Sequence, residues 1–472
     1  MSDQRFTLLI DGESVEGEAY FDVINPATEE VVGRAPDASR KQLDAAVAAA
    51  RRAYPAWKAL PLAERQARVA AIANVIAANV DELKRLLTGE QGKPFPDAEG
   101  DILGGAFMCS TSAQLTPPVE INEDSAERRT ETRHVPLGVV AAIAPWNYPI
   151  VLAFQKVAPA LVAGNTVVLK PSPFTPLTTL RIAELTRDLM PPGVFNVLSG
   201  GDQLGPWMTA HPGFDKISFT GSTATGRKVM ESAAKTLKRV TLELGGNDAA
   251  IVLPGVDIEK VASQLFQAAF GNSGQVCIAT KRLYVHEDIY EPFAQEMTKL
   301  AREAKIGDGS EQGVRFGPIQ NRQQYLRVKE LVADSQANGH RFLTGEGAAM
   351  PDKGYFLPLM IIDNPPLDSR IVREEQFGPV LPLIRFDDVE AALEDANRSD
   401  YGLAASIWGP PEQVAELAPR LEAGTVWVNE VHTVAPSSPF GGHKQSGLGV
   451  ANGMHGLLEY TNLQVISIAK NV

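Results

Sequence analysis

The sequence predicts an α/β protein built from two doubly wound domains, in each of which helices cover both faces of a mainly parallel sheet. Short Val- and Ile-rich runs alternate with helix-like stretches between residues 137 and 246, and a second alternation begins after Gly246. The runs are almost continuously apolar, which is typical of parallel strands buried on both sides. The chain has 472 residues, of which 44% are apolar, enough for about two to four domains with large cores.

A helical region is predicted ahead of the first alternation, because apolar residues recur there at helical spacing and form an amphipathic stripe. The residues of this stripe are Val69, Ile72, Ile76, Val80, Leu83 and Leu87. We expect this stripe to pack into a hydrophobic core.

The first alternation contains strand-like runs separated by helix-like segments. The strand-like runs are "VVAAIAP", "TVVLKP", "VFNVLSG", "KISFTGS" and "VTLELGG". The helix-like segments are "PIVLAFQKVAPALVAG", "TTLRIAELTRDLM" and "TATGRKVMESAAKT". This regular order predicts a parallel sheet with helices on its faces.

An uncharged run from Leu137 to Gln155 is long enough to resemble a membrane-spanning helix. Pro145, Asn147 and Pro149 lie in its middle, where they would break a helix and free backbone groups that lipid cannot satisfy. A buried strand, a turn and the start of a helix explain the run better. We therefore expect no membrane partner here.

The second alternation predicts a second α/β domain after Gly246. Its segments are "EKVASQLFQAAF", "RLYVHE", "PFAQEMTKLAREAKI", "VEAALEDANRS", "LAASIWG" and "TVWVN". Neither an internal repeat nor a low-complexity linker interrupts the sequence.

Charge and cysteine content narrow the partners and the compartment. The net charge of -13 disfavours a nucleic acid or an anionic membrane surface as partner, since both would repel such a protein. Two cysteines, Cys109 and Cys277, allow at most one disulfide, and the N-terminal residues do not resemble a secretory signal. We expect a reducing, cytoplasmic protein without a metal site.

The segment "FTGSTATG" follows a predicted strand and opens a predicted helix, which is a common setting for a phosphate. Gly221 and Gly226 allow the backbone and the helix N-terminus to approach the phosphate, and Ser222 supplies a hydroxyl. Lys170, which ends another strand, could hold ribose hydroxyls or a phosphate. Each feature also has a structural interpretation, because glycines commonly serve such turns and most lysines are solvated.

The segment "GNSGQVCIATKR" places Cys277 after a run of small residues that leave room for a substrate to approach. A thiol in such an open setting is a candidate nucleophile. The competing interpretation is a small, inert, buried hydrophobe, which is the ordinary role of a lone cysteine.

The ordered motifs of the chain resemble the aldehyde dehydrogenase superfamily. These motifs are "NPATEEVVG", "APWNYP", "GNTVVLKPS", "FTGST", "LELGG", "GQVC", "EEQFGPV" and "SPFGGHKQSG". The resemblance implies a Rossmann-like dinucleotide-binding domain at 1–117 and 137–245, a catalytic domain at 246–445, and a projecting oligomerisation β arm at 118–136 and 455–472. It also implies a homodimer or homotetramer, with "ERRTETRHVPLG" and "LQVISIAK" as strands of the arm.

The resemblance further implies NAD(P)-dependent oxidation of an aldehyde to a carboxylic acid. Cys277 matches the nucleophile that forms a thiohemiacetal, and Asn147 matches the amide that holds the oxyanion together with the backbone N–H of Cys277. Glu243 matches the general base that activates water to hydrolyse the resulting thioester. Without the family, Asn147 would be a turn residue and Glu243 a solvated charge at a strand end.

NAD is the implied cofactor, with NADP as the alternative. The matching positions are Trp146, Lys170, Ser172, Gly221, Ser222, Gly246, Glu375 and Phe377. Many relatives carry a glutamate that binds the adenine-ribose hydroxyls where this chain has Pro173, which leaves the choice of cofactor open. Ala451 likewise stands where many relatives have a glutamate thought to assist proton transfer.

The substrate is expected to be a neutral aliphatic or aromatic aldehyde, because the matching tunnel positions are mostly apolar. These positions are Tyr148, Leu152, Gln155, Val276, Ile278, His432, Val434 and Phe440. A semialdehyde dehydrogenase, a CoA-acylating enzyme, a thiol hydrolase and a noncatalytic relative are the alternatives. The presence of Glu243 favours water over CoA as acceptor, and the presence of both Glu243 and Cys277 favours an enzyme.

Overall fold

The computed structural model describes residues 5–345 and 347–471. Its strands are β1 (Leu8–Ile10), β2 (Glu13–Val15), β3 (Ala19–Ile24), β4 (Val31–Asp37), β5 (Glu120–Asp124), β6 (Arg128–Pro136), β7 (Val139–Ile143), β8 (Thr166–Lys170), β9 (Phe195–Val197), β10 (Lys216–Thr220), β11 (Arg239–Glu243), β12 (Asp248–Val252), β13 (Thr280–His286), β14 (Arg341–Phe342), β15 (Met360–Asp363), β16 (Val380–Phe386), β17 (Tyr401–Gly402), β18 (Ala404–Trp408), β19 (Thr425–Val428), β20 (His443–Lys444), β21 (Gly447–Leu448) and β22 (Thr461–Ala469).

The α-helices are α1 (Arg40–Ala59), α2 (Leu62–Ala78), α3 (Val80–Gln91), α4 (Phe95–Ser112), α5 (Pro149–Ala163), α6 (Leu177–Thr186), α7 (Leu204–Ala210), α8 (Thr223–Ala234), α9 (Ile258–Phe270), α10 (Glu287–Glu303), α11 (Arg322–Ala337), α12 (Arg370–Arg373), α13 (Val389–Asn397), α14 (Pro411–Leu417) and α15 (Gly453–Leu458). Within the described ranges, no helix is both long enough and apolar enough to cross a membrane.

The first sheet has the strand order β2-β1-β9-β8-β7-β10-β11-β21. Its centre, from β9 to β11, is parallel, while β1 and β21 pair antiparallel at the two ends of that centre. The chain runs outward from β7 through β8 and β9, then returns to place β10 and β11 on the other side of β7. The direction of winding therefore reverses between β7 and β10, which is where α/β sheets bind ligands.

Hydrophobic clusters cover both faces of the first sheet. One cluster joins its strands to α2 through α6, and the other joins them to α1, α7 and α8. The amphipathic stripe predicted from the sequence lies in the first cluster, but it spans two helices. Asn79 separates α2 from α3, and its side chain donates a hydrogen bond to the carbonyl of Val75 at 2.8 Å.

The second sheet has the order β14-β15-β16-β13-β12-β18-β19, and all of its neighbouring strands are parallel except β14 and β15. Clusters that include α11, α13 and α14 cover one face, and clusters that include α9 and α10 cover the other. The predicted pair of doubly wound α/β units is therefore confirmed. Sequence patterns did not predict β12, β15, β16 or α11.

The apolar run at residues 137–155 forms β7, a turn and the first half of α5, as predicted. A separate antiparallel sheet joins β22, β6 and β5, and it contains the strands predicted for the arm. On β22, Leu463 and Val465 are 68% and 63% exposed. The predicted segments that begin at residue 1 and end at residue 472 extend beyond the described residues at both termini, and the domain boundaries and the role of the arm in assembly stay predictions.

Candidate active site

A cleft of about 700 Å³ lies between the two sheets, beside the carboxyl ends of β7, β10 and β11. Seven of the residues predicted from the sequence line it. They are Trp146, Asn147, Gly221, Ser222, Cys277, Glu375 and Phe377. The structure thus brings together residues that come from four separate motifs of the chain.

Asn147 lies in the turn that connects β7 to α5, where Pro149 occupies the first position of the helix. Its buried side-chain amide donates a hydrogen bond to the backbone carbonyl of Gln275 at 3.0 Å. This bond uses one amide hydrogen and ties the turn to the loop that carries Cys277. The second amide hydrogen remains available to a ligand in the cleft.

Cys277 follows a tight turn, Gly271–Gly274, in which Asn272 and Ser273 adopt left-handed φ angles of 50° and 56°. Gly274 also has a positive φ, and a Cβ there would lie 2.2 Å from the carbonyl oxygen of Gly378, so only glycine fits. Small residues in the motif therefore shape the loop as well as leaving space beside the thiol.

Lys281 holds the loop from the other side. Its Nζ donates to the backbone carbonyls of Val276 and Cys277 at 2.6 and 2.9 Å. Burial raises the pKa of the Cys277 thiol to about 12, while the Lys281 ammonium opposes that rise. Burial therefore disfavours the thiolate of Cys277, and the ammonium of Lys281 favours it.

Glu243 ends β11 and is buried, and neither of its carboxylate oxygens has a hydrogen-bond partner among the described residues. Burial raises the pKa of this carboxyl, and the nearby ammonium of Lys156 partly opposes the rise. Burial also lowers the pKa of Lys156, whose Nζ donates to the Thr220 hydroxyl. A carboxyl with a raised pKa and unused oxygens has the properties of a general base.

Glu375 and Phe377 lie in the loop between α12 and β16, and both line the cleft. Glu375 Oε1 accepts a hydrogen bond from the N–H of Gly246 at 3.0 Å and lies 3.8 Å from Lys281 Nζ. The Phe377 ring contacts Trp146 edge-on, with 5.4 Å between ring centres. Gly246 is therefore bonded to Glu375 and is not among the residues that line the cleft, so its role toward a cofactor stays a prediction.

The first turn of α8 faces the same cleft. Ser222 caps this helix by accepting a hydrogen bond from the N–H of Thr225 at 3.3 Å, and the N–H of Gly221 donates to the carbonyl of Glu243 at 3.0 Å. A capped helix N-terminus at a sheet's reversal point suits a pyrophosphate. The cleft is also large enough for a dinucleotide, since ligand pockets usually span about 300–1,000 Å³.

Lys170 and Ser172 are buried at the end of β8, outside the residues that line the cleft. Lys170 Nζ donates to the carbonyl of Pro171 at 3.2 Å, and Ser172 Oγ accepts from the N–H of Phe174 at 3.2 Å. Burial lowers the pKa of Lys170 to about 8, and the carboxylates of Asp202 and Asp37 oppose this change. The roles of Lys170 and Ser172 in binding a cofactor stay predictions.

The eight predicted substrate positions divide between α5, the loop of Cys277 and the 432–440 loop. Gln155 donates to Asn452 at 3.0 Å, and the Nε2 of His432 lies 2.8 Å from the carbonyl of Ile278, so both side chains bond to protein. The remaining positions are Tyr148, Leu152, Val276, Ile278, Val434 and Phe440, of which Val276 is buried and Val434 is exposed. Their contact with a substrate stays a prediction.

Sequence reasoning missed one wall of the cleft, which α11 supplies. Gln324, Leu326, Arg327 and Glu330 of this helix line the cavity. The signal was present but weak, because Asn321 caps α11 through the N–H of Gln324 while only three residues of the helix are buried. Among the described residues, no group of three or more His, Cys, Asp or Glu side chains could hold a metal ion.

The cleft at the reversal point of the first sheet is lined by a thiol and an amide, and the buried carboxyl of Glu243, at the end of β11, has no hydrogen-bond partner among the described residues. The description "Aldehyde dehydrogenase family" matches residues 13–466. A probable aldehyde dehydrogenase of Pseudomonas sp is 42% identical over 99% of this chain and 95% of its own length. The chain therefore belongs to the aldehyde dehydrogenase family, whose general reaction is NAD(P)-dependent aldehyde oxidation.

Two further relatives bear on the chemistry. A succinate-semialdehyde dehydrogenase (NADP+) of Escherichia coli strain K12 is 37% identical over 98% of both chains. The solved NAD+ complex of an aldehyde dehydrogenase from Bacillus cereus superposes with a TM-score of 0.95 at 35% identity, covering 99% of this chain and 97% of its own.

Proposed function

We propose that this protein oxidises a neutral aldehyde to a carboxylic acid with NAD, through a thioester on Cys277 that water hydrolyses. The observation that carries the proposal is that Cys277, Asn147 and Glu375 face one cleft while Glu243, buried beside it, keeps both carboxylate oxygens unpaired among the described residues. A thiol in that cleft, an amide donor, and a base with a raised pKa are the groups that acyl transfer through a thioester requires.

Cys277 begins the reaction when its sulfur bonds to the aldehyde carbon and its proton passes to solvent. The carbonyl electron pair moves to the oxygen, where the free amide hydrogen of Asn147 and the N–H of Cys277 stabilise the negative charge. A bound nicotinamide supplies the acceptor for the hydride that leaves this carbon. The product on the protein is a thioester of Cys277.

Glu243 completes the reaction by removing a proton from water as the water oxygen bonds to the thioester carbon. The bond between carbon and sulfur then breaks, the electron pair returns to the sulfur of Cys277, and the carboxylic acid leaves. Glu243 afterwards returns its proton to solvent. Its raised pKa suits this role, since a base works best when its pKa lies near the working pH.

NAD is the proposed cofactor. The capped N-terminus of α8, with Gly221 and Ser222, would hold the pyrophosphate, while Glu375 and Phe377 would hold the nicotinamide ribose and ring. Asp37 and Asp202 place negative charge near Lys170. That charge disfavours the additional phosphate of NADP, although Pro173 lacks the carboxylate common in relatives.

The proposed substrate is neutral because the surroundings of the substrate positions are largely apolar. Helix α4 packs closely on α5, since a Cβ at Gly104 would lie 3.1 Å from the Val151 side chain. On one face of α4, Leu103 and Phe107 are 41% and 49% exposed. Assembly through β22 is a further part of the proposal, because its exposed apolar side chains favour a covering partner.

The proposal is tested by measuring reduced nicotinamide with a panel of neutral and carboxylate-bearing aldehydes, each with NAD and with NADP. We expect the highest kcat/KM for neutral aldehydes with NAD, and a trapped acyl group on Cys277 by intact mass. Preference for a carboxylate-bearing aldehyde would assign the protein to the semialdehyde class instead. Turnover that requires CoA would overturn hydrolysis by water.

A further inference from the structure

Lys93 lies in the short loop between α3 and α4, and its side chain is fully buried, as is that of its ion-pair partner Asp101. Lys93 Nζ donates to Asp101 Oδ2 at 2.9 Å and to the backbone carbonyl of Asn147 at 2.8 Å. It also lies 3.8 Å from the centre of the Tyr148 ring. A buried ammonium is costly unless all of its donors are used, so this position is strongly specified.

Asp101 binds the other end of the turn that carries Asn147. Its second oxygen, Oδ1, accepts a hydrogen bond from the N–H of Val151 at 2.8 Å, in the first turn of α5. The carbonyl of Asn147 and the N–H of Val151 are thereby fixed to one ion pair. Together, Lys93 and Asp101 determine how the turn that carries Asn147 leaves β7.

The loop of Lys93 also connects this turn to the loop of Cys277. Gln91 accepts the N–H of Lys93 at 2.9 Å and donates to Asn272 Oδ1 at 3.3 Å. Asn272 in turn donates to the carbonyl of Asn147 at 3.1 Å. The carbonyl of Asn147 is thus shared by Lys93 and Asn272, which come from opposite sides of the cleft.

We propose that Lys93, neutralised by Asp101, is the positioning residue that aims the free amide hydrogen of Asn147 at the aldehyde oxygen during attack by Cys277. The inference rests on the function proposed above. The Lys93 side chain contacts Asn147 and Tyr148 and does not line the cleft, so we expect it to act on the rate of acylation and not on binding of the dinucleotide. A displacement of about 1 Å at such a donor can slow a reaction about 100-fold.

The test uses Lys93→Met combined with Asp101→Asn, which removes both charges together and keeps an acceptor for the N–H of Val151. Acylation is followed without cofactor, as the burst of nitrophenolate from p-nitrophenyl acetate, and with NAD and an aldehyde, as the burst of NADH. We expect both bursts to slow by about 10- to 100-fold while the Kd for NAD stays unchanged. Lys84→Met, which removes a partly exposed lysine paired with Asp81 and Glu99, is the matched control and should leave both bursts unchanged.

A double-mutant cycle separates positioning from a general structural role. In the Asn147→Ala background, the two substitutions should change acylation by less than about threefold, because the group through which Lys93 acts is already absent. The proposal would be overturned if the Lys93 and Asp101 substitutions slowed acylation by the same factor with and without Asn147→Ala. It would also be overturned if they did not slow the burst at all.

A second variant keeps the test decisive if the buried pair proves essential for folding. Asn272→Gly removes the other donor to the carbonyl of Asn147 while preserving the left-handed backbone, and acylation should slow by about 3- to 10-fold, again without effect in the Asn147→Ala background. Cys277→Ala tests the underlying function separately, because alanine removes the nucleophile. Acylation that survives Cys277→Ala contradicts the proposed function. If Cys277→Ala abolishes acylation but Lys93 and Asn147 show no coupling, only the positioning is contradicted.

Discussion

Two buried carboxylates, Asp101 and Glu243, each lie near a buried lysine, and they differ in how completely their oxygens are hydrogen-bonded. Lys93 and Asp101 meet at 2.9 Å, and Asp101 also accepts a backbone N–H. Lys156 and Glu243 are equally buried, yet the described residues provide no hydrogen bond to either oxygen of Glu243. Asp101 and Lys93 hold backbone groups in place, whereas the carboxyl of Glu243, with no partner among the described residues, fits the general-base role proposed above.

Glu90 supports this interpretation because it is another buried carboxylate with its bonds made. It accepts the N–H groups of Leu177 and Thr178 at 2.7 and 2.9 Å, in the first turn of α6. Burial raises the pKa of Glu90 to about 7 despite these bonds. A raised pKa alone therefore does not distinguish a catalytic carboxyl from a structural one, whereas unpaired oxygens beside a cleft do.

The largest expected effect on activity comes from Cys277, and the second cysteine, Cys109, provides the comparison. As with the carboxylates, one thiol is proposed to be catalytic and the other is buried in the core. Cys277→Ala should lower kcat/KM for aldehyde oxidation by at least about 10⁴-fold, because the covalent step is lost. Cys109→Ala should leave kcat/KM unchanged within about threefold, since Cys109 is buried in a hydrophobic cluster and does not line the cleft. Steady-state NADH formation by both variants measures the difference. Comparable losses in the two would contradict the assignment of the nucleophile.

Glu243→Gln is expected to slow thioester hydrolysis by about 10³-fold while hydride transfer persists for a single turnover. Acylated protein should therefore accumulate and be visible by intact mass. In the unsubstituted protein, hydrolysis should rise with pH until Glu243 is deprotonated, because the raised pKa keeps the base protonated at acid pH. The Gln variant should lose that dependence. An unchanged steady-state rate would place the base elsewhere.

The loss of stability should be larger for substitution of Asp101 than for substitution of Glu243, which reverses the order expected for the loss of activity. Asp101→Ala leaves the ammonium of Lys93 buried without its carboxylate and should lower the free energy of unfolding by about 3–5 kcal/mol. Glu243→Gln removes a charge that makes no hydrogen bond within the described structure, so the loss should stay below about 1 kcal/mol. Urea unfolding of both variants at one pH compares them. A large loss for Glu243→Gln would show that its carboxylate is structural.

The sequence was sufficient to predict the five parallel strands at the centre of the first sheet and the residues at their ends, because a buried parallel strand and the turn after it are encoded locally. Ser222 was predicted in this way, Cys277 from the small residues before it, and the role of Asn147 from the resemblance to the family. The partners of these residues were not, since Lys93 lies 54 positions from Asn147 and Asn147 bonds to a carbonyl 128 positions away. Whether a buried charge is satisfied depends on such distant contacts, and a sequence pattern does not contain them.

The smallest expected effect concerns Lys170, a buried lysine that donates to the carbonyl of Pro171 at 3.2 Å and lies near the carboxylates of Asp37 and Asp202. The surroundings of Lys170 are intermediate between those of Lys93, whose ammonium donates two hydrogen bonds to protein, and those of Glu243, whose oxygens have no partner among the described residues. The Lys170 ammonium has carboxylates nearby but retains donors for a ligand. Pro173→Glu would add a carboxylate at the position that relatives use to bind ribose hydroxyls.

We expect Pro173→Glu to raise the ratio of kcat/KM for NAD over NADP by about tenfold, mainly by weakening NADP, because a carboxylate repels the additional phosphate. The change is limited because Asp37 and Asp202 already supply negative charge. Asp202→Asn is the matched variant and should move the ratio the other way. Both are measured at equal ionic strength, since screening alters such contacts. If neither substitution moves the ratio, the choice of cofactor is determined by other residues, and Lys170 has only a structural role.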